Sequence, residues 1–173
     1  VAPELLPPAE ADFVPAPRVW PLLRAGLLAA FIFTLYSLIL FKIMVPDLTL
    51  GGDSRADYVA AYGNAGLLLY QLLILTGAAL LEEIVFRLGT QNMLAFGLKL
   101  TGRAYWNAIG MAAVLWTLGH TGQYFSDWIK FAQIFPIGLA LGWMYRKYGL
   151  ESCIIAHVGF NLLVLLISPL IYA

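Results

Sequence analysis

The chain has 173 residues, 61% of them hydrophobic and 12% charged, with a mean hydropathy of +0.82 and ten basic residues balancing ten acidic ones. So few charges exclude an ordinary soluble domain, in which about a quarter of residues are charged, and zero net charge argues against a nucleic-acid partner. The long apolar runs leave one class: an all-α, polytopic bundle of transmembrane helices, with the lipid bilayer as its surroundings.

Residues 1–17, VAPELLPPAEADFVPAP, carry prolines at 3, 7, 8, 15 and 17. Proline at that density blocks helix and favours extended chain, so this stretch reads as a tail or linker, and 18–173 as the transmembrane domain. The chain starts at Val1 rather than Met, which leaves room for fusion to, or assembly with, an upstream module. The first apolar segment starts late and is long enough to span, so it does not read as a cleavable signal peptide.

The first span is expected over about 18–45. Trp20 and Arg24 mark one end, Lys42 and Pro46 the other, and Ala25 to Phe41 carries no charge. Residues 46–64, PDLTLGGDSRADYVAAYGN, read as a solvated loop. Asp47, Asp53 and Asp57 fit no hand-type calcium loop, and Arg55 sits among them. The second span starts near Ala65, and its helix is expected to run to about residue 98. Gly97, Lys99, Gly102 and Arg103 then mark a turn. The third span, about 104–119, delivers His120. A polar break, TGQYFSDW, offers Asp127 as an N-cap for a fourth span to about Tyr145, with a kink expected at Pro136. The fifth span covers about 150–167 and carries His157 and Asn161. Five spans result. Placing Arg18, Arg24, Lys99, Arg103, Arg146 and Lys147 on the inside predicts a cytoplasmic N-terminus.

The anomaly is Leu81–Arg87, LEEIVFR, two carboxylates and an arginine within an apolar run. Ionisable groups at membrane depth are costly and usually functional. Residues four apart share a helix face, so Glu83 and Arg87 are expected to pair. Glu82 points about a quarter-turn away. It is the candidate base, with Glu83 as its organiser. The turn between spans two and three centres near Thr101, with Glu82 and His120 each 19 residues from it. An antiparallel hairpin therefore places both on the order of 28 Å from the turn, at the same depth. His157 and Asn161 share a face of the fifth span, at a depth the sequence does not fix.

A carboxylate and an imidazole can activate water for hydrolysis, and a second His with an Asn can donate to an oxyanion. The alternative is a zinc or other divalent site on Glu82, His120 and His157, although no HExxH is present and Asn is a poor zinc ligand. The lone cysteine, Cys153, lies four residues before His157, so a Cys–His dyad is a further geometric option, weighed against a buried apolar cysteine. No G-x-S-x-G occurs.

Three motifs, in order, carry a resemblance. EEIVFR (82–87) is similar to E-E-x-x-x-R with Phe86 before the arginine, WTLGH (116–120) to F-x-x-x-H with Trp116 for Phe, and HVGFN (157–161) to H-x-x-x-N. Together they resemble the CAAX-protease and bacteriocin-processing (CPBP/ABI) family of glutamic-type intramembrane proteases, over roughly residues 65–167. The resemblance implies a four-helix catalytic core and cleavage of a membrane-anchored protein or peptide near its anchored end. Glu82 and His120 would activate water without a cofactor, and His157 and Asn161 would hold the oxyanion. Glu83, Arg87, Phe86 and Trp116 would support them. The rival functions are a non-catalytic immunity or scaffold protein and a proton-coupled transporter. A transporter would be expected to carry repeated halves, and no internal repeat is visible.

Overall fold

The computed structural model describes residues 19–44, 54–121 and 127–172, with side-chain surroundings for 19–44, 65–121 and 128–167. The proline-rich segment 1–17, Asp47, Asp53, most of the break after His120, and the capping side chain of Asp127 lie outside these descriptions. Among the described residues the chain is all-helical. Helix α1 is Val19–Met44 and α2 is Ser54–Glu83. The latter runs on through a π-helical stretch, Ile84–Gln91, into α3, Asn92–Gly97. A short 3-10 turn, Gly102–Ala104, leads to α4, Tyr105–Leu118. Helices α5, Asp127–Tyr148, and α6, Leu150–Tyr172, complete the bundle.

Three segments are long and apolar enough to cross a membrane: Val19–Met44, Ala65–Gly97 and Leu150–Ile167. Their outward faces carry exposed Phe31, Leu35, Leu73, Leu81 and Leu166, which in a bilayer meet lipid tails as apolar as themselves. Helix α4 has 14 residues, or roughly 21 Å of rise against a hydrocarbon layer of about 30 Å. His120 lies two residues beyond its end and is partly buried.

One expectation is corrected. Residues 54–64 are not loop, because α2 begins at Ser54. Polar composition there does not bar helix, and Ala56, Ala60 and Ala61 have the highest helix propensity of any residue type. The turn expected near Thr101 is present, with Lys99 (φ 51°) and Gly102 (φ 54°) in left-handed backbone. The amide of Leu100 reaches back to the carbonyl of Ala95 at 2.8 Å, closing the end of α3. Helix α5 continues through Pro136. Gly149, at φ 89°, is the single residue joining α5 to α6.

Helix α1 lies along α6, the helix that carries His157. The approach is close because small residues line it. A Cβ on Gly26 would stand 2.6 Å from Ile155 Cγ2 and 3.0 Å from the Ser152 carbonyl, and one on Gly159 would stand 2.9 Å from Ala30 Cβ. Ser37 accepts from the Gln133 amide at 2.9 Å, and Tyr36 donates to the Ala132 carbonyl at 2.6 Å, tying α1 to α5 as well. The apolar centre is Ala29, Phe33, Trp116, Ile134, Ile137, Leu141, Met144, Cys153 and Ala156.

This packing predicts different outcomes for two glycines. Gly26→Leu should cost about 1–3 kcal/mol by overpacking, seen as a lower thermal unfolding midpoint in detergent. Gly77 has no atom within 4 Å of its would-be Cβ. Gly77→Ala should leave the midpoint unchanged or raise it, reflecting a gain of up to about 1 kcal/mol of helix propensity.

Candidate active site

The site is built around a carboxylate that never meets solvent or lipid. Glu83 is fully buried, as is Arg87 one turn later. Arg87 Nε donates to Glu83 Oε2 at 3.2 Å. The other carboxylate oxygen, Oε1, accepts from His157 Nδ1 at 2.8 Å. Glu83 therefore joins the end of α2 to the π-helical stretch and to α6. Its charge is matched by Arg87, whose guanidinium also lies 4.8 Å from the centre of the Trp116 ring, a cation–π contact. Nη1 and Nη2 of Arg87 find no hydrogen-bond acceptor among the described residues, which makes that ring contact the main compensation for the remaining buried charge.

Glu82 is placed differently. Its side chain is 25% exposed, and Oε2 accepts from the Trp116 indole Nε1 at 2.6 Å. His120 Nε2 stands 3.7 Å from the same oxygen and His157 Nε2 3.9 Å from it. The hairpin count thus brings Glu82 and His120 together as expected, and α6 adds His157 at the same depth. Both ring tautomers follow from their partners. A carbonyl and a carboxylate accept hydrogen bonds, so the nitrogen facing each must carry the proton. His120 Nδ1 faces the Trp116 carbonyl at 2.9 Å, and His157 Nδ1 faces Glu83. Each Nε2 is left turned toward Glu82.

Asn161 sits one turn beyond His157, where its Nδ2 donates to the Leu75 carbonyl at 3.3 Å. The geometry ties Asn161 to α2 and leaves its second amide hydrogen uncommitted. Phe86 packs against the apolar centre. Cys153 is fully buried in that centre, and its thiol donates to the Leu141 carbonyl at 3.2 Å. Among the described residues no trio of His, Cys, Asp and Glu is arranged as a metal site.

A family model described as type II CAAX prenyl endopeptidase, Rce1-like, matches residues 64–163, more than half of the chain. The chain belongs to the Rce1-like family. No curated protein and no solved structure matches it. The matched stretch holds Glu82, Glu83, Arg87, Trp116, His120, His157 and Asn161, while α1 lies before it. Rce1-like membership places the chain among peptidases of the CAAX type, which act on membrane-anchored proteins. Together with three membrane-length helices, it makes this an integral membrane protein.

Several residues that shape this candidate site carry no motif. Gln91, fully buried, donates from Nε2 to the Gly142 carbonyl at 3.0 Å and to the Tyr105 hydroxyl at 3.2 Å. It continues the buried polar line of Glu83 and Arg87, pinning the π-helical stretch to α5 and to the start of α4. Glycines in α5 make the room. A Cβ on Gly142 would stand 2.9 Å from Gln91 Oε1, and one on Gly138 would stand 3.0 Å from Trp116 Cε3. The π-helical stretch is itself an uncommon feature, one frequent at functional sites. A GxxxG spacing at 138–142 and a glutamine eight residues after Glu83 were the available signals.

Removing one partner of the buried pair should be more harmful than removing both. Arg87→Met leaves Glu83 charged and half-matched, and should lower stability by about 3–5 kcal/mol. Arg87→Lys should not restore it, because the planar guanidinium provides both the Nε donor and the ring contact. Pairing Arg87→Met with Glu83→Gln should recover part of the loss. Thermal unfolding in detergent, with a double-mutant cycle, measures all three.

Proposed function

We propose that this protein is an intramembrane endopeptidase that hydrolyses a peptide bond near the membrane-anchored end of a prenylated CAAX-type protein or a sorting or leader tail. Glu82 is the general base. The observation that carries this reading is the division between the two carboxylates. Glu83 has both oxygens engaged, by Arg87 and His157, whereas Glu82 is partly open and has two imidazole Nε2 atoms within 4 Å.

In this reading a water held between Glu82 and His120 loses a proton to Glu82, and its oxygen attacks the scissile carbonyl carbon. The carbonyl oxygen becomes an oxyanion. Asn161 offers it the amide hydrogen not given to Leu75. His157 can donate from Nε2 only as the imidazolium, since Nδ1 already carries the proton shared with Glu83. That cation would be balanced by the Glu83 carboxylate at Nδ1. The C–N bond then breaks, and the leaving amine takes the proton held by Glu82. Fixed donors in a dry site stabilise such charge more than the same groups do in water. No step needs a metal. The zinc alternative on Glu82, His120 and His157 is decided by chelation. A cytoplasmic N-terminus belongs to the same reading. It rests on the basic residues Arg18, Arg24, Lys99, Arg103, Arg146 and Lys147 on one side against Lys42, Arg55 and Lys130 on the other; Arg146 donates to the Gly102 carbonyl at 2.9 Å.

Cleavage of a prenylated CAAX peptide by purified protein in detergent tests this. Glu82→Ala and His120→Ala should each reduce turnover by about 10²-fold or more while unfolding at the wild-type temperature, and chelators should have no effect. Unimpaired turnover in either variant would contradict the roles assigned. Loss on chelation, with recovery on adding zinc, would establish the metal-dependent route instead.

A further inference from the structure

One residue, Trp116, contacts Glu82, both histidines beside it and Arg87. The Trp116 indole Nε1–H donates to Glu82 Oε2 at 2.6 Å, and its backbone carbonyl accepts from His120 Nδ1 at 2.9 Å. The Trp116 ring stands edge-on to His120 and to His157, with centroids 5.3 Å away in each case. Arg87 lies 4.8 Å from its centre. The ring is 3% exposed and seated against Gly138. Among the described residues no other side chain hydrogen-bonds Glu82, for both Nε2 atoms stand beyond hydrogen-bond length. A phenylalanine at 116 would keep the ring contacts and the backbone carbonyl. It would lose the one donor that fixes Glu82.

We infer that Trp116 is a positioning residue for the reaction: its indole N–H anchors one oxygen of Glu82, and its carbonyl sets His120 so that Nε2 faces that carboxylate. The inference rests on the reading of Glu82 as the base. Glutamate has three rotatable side-chain bonds, and a base must be held near its productive geometry to be effective. Anchoring Oε2 leaves Oε1 to meet the water. A hydrogen bond to an ionised carboxylate is among the stronger ones, and its loss acts on the chemical step rather than on substrate affinity. The indole therefore does work that a purely packing aromatic cannot.

The test has a kinetic arm and a spectroscopic arm. Trp116→Phe should lower kcat roughly tenfold, the scale of one charge-assisted hydrogen bond, with KM for a prenylated CAAX peptide unchanged. In detergent-solubilised protein labelled with ¹⁵N-tryptophan, the indole N–H signal absent from Trp116→Phe identifies Trp116 among five tryptophans. That signal should lie downfield and move upfield in Glu82→Ala, a shift that requires no turnover. An unchanged kcat in Trp116→Phe, or a rise in KM alone, would overturn the inference, as would an indole signal indifferent to Glu82→Ala. These results differ from failure of the functional reading, which would appear as full turnover in Glu82→Ala itself.

Discussion

The buried carboxylate of Glu83 is the constraint that the rest of the arrangement answers to. A fully buried charge is tolerated only when paired and hydrogen-bonded, and Glu83 recruits Arg87 from its own helix and His157 from α6 to meet that need. The bond from His157, with that from Asn161 to the Leu75 carbonyl, ties α6 to α2. Engaging Nδ1 with Glu83 also leaves His157 presenting Nε2 toward Glu82. Helix α1 supports the arrangement from outside, by lying closely along α6 over Gly26 and Gly159. Gln91 and the glycines of α5 hold the π-helical stretch in place on the other flank.

With Glu83 fully engaged, its neighbour is set apart. Glu82 sits a quarter-turn away, partly open, tethered at one oxygen by Trp116. Adjacent residues in sequence thus have opposite environments, and the difference comes from which helix faces them. The same tryptophan links the two halves, stacking its ring under Arg87 on the Glu83 side and giving its N–H to Glu82 on the other.

Much of this was legible in the sequence where local geometry decides it. The Glu83–Arg87 pair follows from four-residue spacing. The level placement of Glu82 and His120 follows from counting outward from a short turn, because an antiparallel hairpin has little freedom. The depth of His157 was not legible, since it depends on the order of helices around the bundle and on a contact 74 residues distant in sequence. Nor was the tie between Asn161 and Leu75, which spends one donor of a residue otherwise free to face the site. Trp116 read as a large ring in place of phenylalanine; that its N–H meets a carboxylate depends on ring orientation, which Gly138 permits from another helix. The helical start of α2 was not legible, because polar composition between residues 54 and 64 does not forbid helix.

The division between the two carboxylates is most directly tested by unfolding Glu82→Gln and Glu83→Gln side by side in the same detergent. Each substitution removes one charge and keeps the shape. Glu82→Gln should melt at the wild-type temperature. Glu83→Gln strands Arg87 and weakens the bond to His157, so its midpoint should fall by several degrees, on the scale of about 2–4 °C per kcal/mol for a chain of this size. Equal midpoints for the two variants, or a fall confined to Glu82→Gln, would contradict the account.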